Sequence, residues 1–181
     1  MQEVTIRLKF TTACLGHINR NIAGKNIYEM PRDHAGRVVF FASRWRHELG
    51  FAAKLASSSD SLVRHINWSL HIDGSVTTWR RYLPDTRNRK RAHKPYAVHE
   101  AFQPGAVIGI TAVLPTGLEL LKFRELLELV GTYRGISPFR CDNEAYGLFD
   151  VVSVLPAKRA VRTERSDDYA DSANTEKRDC D

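Results

Sequence analysis

At 181 residues, 43% hydrophobic and a formal charge of +6, the chain is long enough to bury one substantial core, so one domain with a tail is expected. Its three scattered cysteines, Cys14, Cys141 and Cys180, argue against a disulfide framework, and no apolar run reaches the length of a membrane span. Residues 157–181 hold six Lys/Arg against seven Asp/Glu, which leaves about +7 on the part before them, a balance suited to a polyanionic partner or simply to solubility.

The N-terminus alternates Val4, Ile6, Leu8 and Phe10 with Thr5, Arg7 and Lys9, the period of a strand with one buried face. It lacks the apolar core of a signal peptide, so a soluble protein of the reducing cytoplasm is expected. Thr11 to Asp33 has no sustained period and reads as an extended loop; Val38 to Phe41 reads as a brief strand. From Ser43, a candidate cap, the apolar positions Trp45, Leu49, Phe51, Ala52, Leu55 and Ala56 take helical spacing until Ser57.

Ile66, Trp68, Leu70 and Ile72 alternate with polar residues, Asp73-Gly74 offers a tight turn, and Val76 to Leu83 returns, which predicts a hairpin. Pro84 to Pro104 reads as a second long connection. Val107 to Leu114 is a buried strand, Glu119 to Val130 an amphipathic helix with Gly131 as its cap, and Leu148 to Leu155 a last strand. Beyond Pro156 the chain is almost wholly polar and cannot bury enough surface to offset its ordering entropy, so disorder is expected over 157–181. Setting one strand aside as an insertion leaves a βαββαβ order. Residues 1–156 are therefore expected to form a single α+β, ferredoxin-like domain: an antiparallel sheet with two helices on one face, an extra strand and long loops.

Two segments point to function. Arg80, Arg81, Arg87, Arg89, Lys90, Arg91 and Lys94 fall within fifteen positions opposed by Asp85 alone, with Trp79, Tyr82 and Tyr96 beside them. Cations interleaved with aromatics suit a single-stranded nucleic acid, although a solvated loop is the bland alternative. The second segment, G-T-Y-R-G-I-S-P-F-R from Gly131, brings Tyr133, Arg134, Phe139 and Arg140 between glycines, which either admit a ligand close to the backbone or serve a cap and a bend. Arg7 and Lys9 extend the positive surface if their side of the first strand is open. No P-loop, dinucleotide fingerprint, nucleophile elbow or Cys/His pairing is present; His99-Glu100 is only half of a zinc motif, so no cofactor or metal is expected.

The opening V-T-I-R-L-K-F-T-T and the late L-L-E-L-V-G-T-Y-R-G-I-S-P-F-R…Y-G-L-F-D-V-V distantly resemble the RAMP proteins, the ferredoxin-like RNA-binding and RNA-processing subunits of CRISPR systems. The resemblance implies that Gly131, Gly135 and Gly147 match the family's RNA-approaching glycine loop, and it leaves the middle of the chain without a counterpart. Because RNA-cleaving members often place an acid or base after the first strand, it makes His17 and His34 the catalytic candidates, with Lys25 or Arg20 as phosphate stabilisers. The expected function is a non-catalytic nucleic-acid-binding module, RNA favoured, within a larger ribonucleoprotein or protein complex. The alternatives are a metal-independent endoribonuclease and a module that binds an acidic protein.

Overall fold

The computed structural model describes residues 1–22, 25–56, 61–69, 72–82, 96–139 and 145–157. In chain order the elements are β1 (Gln2–Phe10), β2 (Cys14–Leu15), β3 (Ile18–Ile22), β4 (Lys25–Glu29), α1 (Ala42–Leu55), β5 (Asn67–Trp68), β6 (Thr77–Tyr82), β7 (Tyr96–Phe102), β8 (Val107–Leu114), α2 (Leu120–Tyr133) and β9 (Phe149–Pro156). They form two sheets.

The first sheet has the order β5-β8-β1-β9, antiparallel throughout. Taken with α1 after β1 and α2 after β8, this is the βαββαβ ferredoxin-like arrangement, in which the first and third scaffold strands lie in the centre. Val4, Ile6, Leu8 and Phe10 of β1 and Ile108, Ile110, Ala112 and Leu114 of β8 are buried beneath the helices. The alternation breaks in β9, where Val151 and Val154 are both buried, because the register with β1 slips by one residue at Arg7/Leu8. Such a bulge restores the inward direction of the side chains beyond it.

The helices are locked on by aromatic rings. Trp45 of α1 stacks on Trp68 of β5 with centroids 4.8 Å apart, and Trp68 meets Phe123 of α2 at 6.0 Å. Trp45 also reaches Phe149 of β9, and Phe149 reaches Phe10 of β1. Each contact adds about 0.5–1.5 kcal/mol to the burial of its rings. The start of α1 differs from the reading of Ser43 as a cap: Phe41 is the N-cap residue and no side chain caps it.

The second sheet is where sequence reading fell short. Its central strand is β7, paired antiparallel with β6 on one side and, on the other, with β2 antiparallel and β4 parallel; β3 pairs with β4. The expected loop from Thr11 to Asp33 thus carries three strands, and the expected connection from Pro84 to Pro104 carries β7. I-N-R-N-I and K-N-I-Y-E have no apolar alternation, so they take strand form from backbone pairing to neighbours and not from a buried face of their own. Of the brief strand expected at Val38 to Phe41, the described residues show an isolated bridge of Val38 with Arg32, and the Val38 carbonyl accepts from the Ile72 N–H at 3.2 Å.

Nor do the runs flanking Asp73-Gly74 form a hairpin. β5 pairs with β8 and β6 with β7, so this dipeptide carries the chain from one sheet to the other. Asp73 exchanges two backbone hydrogen bonds with Gly109, both 3.1 Å. Gly74 is needed for closeness and not for a left-handed turn: a Cβ there would lie 2.9 Å from the side chains of Ile108 and Phe102. The two sheets meet at Phe102 of β7, stacked on Phe10 of β1 at 5.6 Å. Residues 158–181 of the expected tail lie outside the described residues.

Because fully buried Trp45 fastens α1 to β5 and β9 of the first sheet, Trp45→Ala should cost about 3–5 kcal/mol in urea-induced unfolding. Leu121→Ala, on the exposed side of α2, should change stability by less than about 0.5 kcal/mol.

Candidate nucleic-acid interface

The segment after α2 is stitched to the residues after β1. Ala13 and Thr11 form backbone bonds with Gly147 and Leu148, and the Thr12 hydroxyl donates to the Ala145 carbonyl and accepts from the Leu148 N–H, both at 2.9 Å. Glycines make this possible. A Cβ on Gly131 would fall 2.1 Å from the Phe149 carbonyl oxygen, and one on Gly147 would fall 2.4 Å from the Ser137 nitrogen. Gly135, at φ +65°, ends the helix by donating to the Val130 carbonyl at 2.7 Å, so the cap glycine is Gly135 and Gly131 lies inside α2. All three glycines face protein backbone, which favours the cap-and-bend alternative for them.

This stitching brings the two functional segments together. Arg81 of β6 lays its guanidinium over the Phe139 ring, 4.3 Å from the centroid, and its Nε donates to Nε2 of His99 at 3.3 Å. His99 is fully buried on β7, with Nδ1 2.8 Å from the Gly16 carbonyl oxygen. A carbonyl only accepts, so Nδ1 carries the proton and Nε2 offers the lone pair that Arg81 uses. Tyr28 of β4 stacks on the imidazole at 4.6 Å and Phe139 meets it edge-on at 5.0 Å. On the opposite face of the β6–β7 ladder, Arg80 is exposed, lies 5.1 Å from the Tyr96 ring and makes no salt bridge among the described residues.

The other expected binding residues are dispersed. Arg134 turns inward: its Nε lies 3.1 Å from Oε2 of the fully buried Glu48 on α1, and its guanidinium covers Phe51 at 4.3 Å. Arg44 approaches the same carboxylate at 3.6 Å. Tyr133 is 68% exposed at the end of α2. Arg7 and Lys9 point from the helix-free side of β1 and make no salt bridge among the described residues. Arg87, Arg89, Lys90, Arg91, Lys94 and Arg140 lie outside the described residues. Glu100, read beside His99 as half of a zinc motif, instead holds the Met30 N–H at 2.8 Å and Arg32 at 2.7 Å.

Of the two catalytic candidates, His34 lies on an exposed turn whose backbone is held by the Asp33 carboxylate, whereas His17 lines a pocket of about 230 Å³. Leu15, Met30, Phe40, Phe41, Ile136 and Pro138 supply its apolar walls; Ser43, Arg44 and His47 share it with His17. In the sequence Ser43 stands only as a candidate cap, and Arg44 and His47 carry no signal beyond polar positions near the start of α1, each of which alone looks like solvent decoration. Desolvation, reinforced by the Arg44 charge, lowers the pKa of His17 below its ordinary 6.5. Arg20 is paired with Glu29 at 2.9 Å, and only the backbone of Lys25 is described.

No protein-family model matches this chain, and no curated protein matches it. Its fold is similar to that of a chain in the cryo-electron microscopy structure of the type III-B Cmr-beta bound to cognate target RNA, with a TM-score of 0.56 at 10% identity, covering 87% of this chain. This chain spans 61% of that one. A chain of a CRISPR RNA-guided surveillance complex matches over 81% of this chain and 66% of its own length, at 12% identity and a TM-score of 0.36, too low to carry an argument. The first likeness is one of fold, and it agrees with the distant, partial RAMP resemblance of the two end segments. Among the described residues no helix is long and apolar enough to cross a membrane.

With its pKa lowered, His17 takes up its proton at lower pH in the folded chain than in the unfolded one. The stability it permits is therefore fully present above about 6.5 and is lost as the pH falls from there toward the folded value. Unfolding midpoints measured between neutral pH and pH 5 should fall less steeply for His17→Gln than for the parent chain.

Proposed function

We propose that this chain is a non-catalytic nucleic-acid-binding module that holds RNA or another single strand along the β6–β7 edge. Arg81 and Phe139 on one face of that edge, and Arg80 and Tyr96 on the other, form the near end of the surface, and the basic run of Arg87, Arg89, Lys90, Arg91 and Lys94, which joins β6 to β7 in the sequence, would supply its further cations. The observation that carries this reading is the Arg81 guanidinium stacked on Phe139 while His99 fixes its direction. That stack joins the two segments whose composition suits phosphates and bases, and it presents a positioned cation beside planar rings. Arg7, Lys9 and Tyr133 are outlying members of the surface; Arg140 adjoins Phe139 in sequence. The fold shared with a chain of an RNA-bound assembly supports a place inside a larger cytoplasmic ribonucleoprotein, as analogy only, since one scaffold serves many activities.

Replacing Arg80, Arg81, Arg87, Arg89, Lys90 and Arg91 by alanine should weaken binding to single-stranded RNA at least tenfold. The slope of log affinity against log salt should become shallower by about 0.7 for each phosphate that the variant no longer neutralises. Unchanged affinity and slope would sink the reading, and a tight protein complex without nucleic-acid affinity would favour the acidic-partner alternative.

A second reading, metal-independent RNA cleavage, is favoured by His17 and His47 lining one pocket with Arg44. One imidazole would accept the 2′-hydroxyl proton as that oxygen attacks the adjacent phosphorus, and the other would protonate the departing 5′-oxygen, leaving a 2′,3′-cyclic phosphate. This reading requires cleavage of RNA in EDTA that His17→Ala abolishes. Intact RNA after prolonged incubation with the parent chain is the outcome expected of a passive binder.

A further inference from the structure

The β6–β7 edge leaves the pocket at the start of α1 unused. We propose that this pocket receives one unstacked nucleobase of the bound strand, with Phe41 as the stacking surface at its mouth and His17, Ser43 and His47 meeting the polar edge of the base. The inference rests on the nucleic-acid-binding reading and requires no cleavage.

Size is the first argument. At about 230 Å³ the pocket is smaller than the roughly 300 Å³ at which sites for drug-sized ligands begin, so it suits a single planar ring system. The second is the character of the walls. Phe41 is 48% exposed although it is a large aromatic residue, and its ring stands edge-to-face with His17 at 6.1 Å, so an apolar plane lies open at the rim. Base–aromatic stacking needs such a plane and tolerates any base.

Charge supplies the third argument. Arg44 is the one Lys or Arg among the lining residues, and it already faces the Glu48 carboxylate at 3.6 Å. His17, its proton affinity lowered by desolvation and then by Arg44, is neutral near pH 7 and presents one donor and one acceptor. Neutral, directional groups suit the mixed donor and acceptor edge of a base better than a phosphate.

The fourth argument is continuity. Pro138 lines the pocket and is followed by Phe139, on which Arg81 stacks; Leu15 lines it and is followed by Gly16, whose carbonyl holds His99. A strand tracking Arg81 therefore passes chain segments that also form the pocket, and one base turned from the stack has a place to enter.

The test compares a short single-stranded RNA with a ribose-phosphate oligomer of equal length that lacks bases, each titrated against the parent chain and Phe41→Ala. The expected result is about tenfold weaker binding of RNA by Phe41→Ala, the loss of one base–aromatic stack, with binding of the abasic oligomer unchanged. Equal RNA affinity for the two proteins, or an equal loss for both oligomers, overturns the proposal. If the parent chain binds neither oligomer, the nucleic-acid-binding reading itself has failed. Should Phe41→Ala not fold, the parent chain decides by NMR: millimolar adenosine or uridine should shift the His17 and His47 ring signals while inorganic phosphate leaves them in place. Shifts from phosphate alone, or from none of these, would equally overturn it.

Discussion

The buried imidazole of His99 is the constraint on which the second sheet and its surface depend. It sits on the central strand of that sheet, between Gly16 on one side and Arg81 on the other, and a fully buried ring must satisfy both nitrogens. The two demands fix the chain on either side. Gly16 is pressed so close to the end of β4 that a Cβ would lie 2.4 Å from the Glu29 carbonyl carbon, and Arg81 is turned along the Phe139 ring. Glu100, the next residue on β7, faces the other way and ties down Met30 and Arg32. One strand thus organises the loop after β1, the β4 end and the segment after α2.

Net charge is a poor guide to available charge in this molecule. Arg134 and Arg44 both direct theirs at Glu48, which is fully buried and would be costly to leave without cations; removing one partner of such a pair typically costs about 3–5 kcal/mol. Arg134 thereby fastens the end of α2 to α1, while Arg44, a lining residue of the pocket, pairs with Glu48 within α1 itself. Arg80, Arg7 and Lys9 have no such obligation among the described residues. The positive balance legible in the composition therefore divides into an internal, structural share and an outward share, and only the outward share is open to a polyanion.

What the sequence revealed followed from how many partners each element needs. β1, β8, β9 and the two helices bury one regular stripe against one core, so the period of their apolar residues is enough to find them. β3 and β4 bury little of their own surface and owe their form to pairing, β3 with β4 and β4 with β7, a strand whose positions Ala97, His99 and Ala101 share one face and carry almost no hydrophobic signal. Asp73-Gly74 misled for a related reason: local turn chemistry was read correctly as a change of direction, but not that its two flanks belong to different sheets. Gly131 was the nearest glycine to the helix end, yet tight packing on Phe149 and not helix termination accounts for it. In the candidate site, Arg81 and Phe139 were legible as a cation and a ring in suggestive surroundings. His47 was not, because its importance comes only from the folding of Leu15 and Pro138 against the start of its helix.

The scaffold and the candidate chemistry are therefore supplied by different parts of the chain. β1, β8 and β9 build the ferredoxin-like layer and contribute only Arg7 and Lys9 on its open side. His17, Tyr28, Arg81, His99 and Phe139 all come from segments between the scaffold elements, and Phe41 and His47 from the helix start that abuts them. A fold shared at 10% identity speaks for the scaffold and not for the chemistry its side chains carry. The two sheets meet where Phe10 packs on Phe102, and Phe102 in turn meets Phe40, a wall of the pocket, at 6.1 Å. The function proposed for this chain thus rests on the inserted segments, and the ferredoxin-like layer acts on it indirectly, by fixing where those segments begin and end.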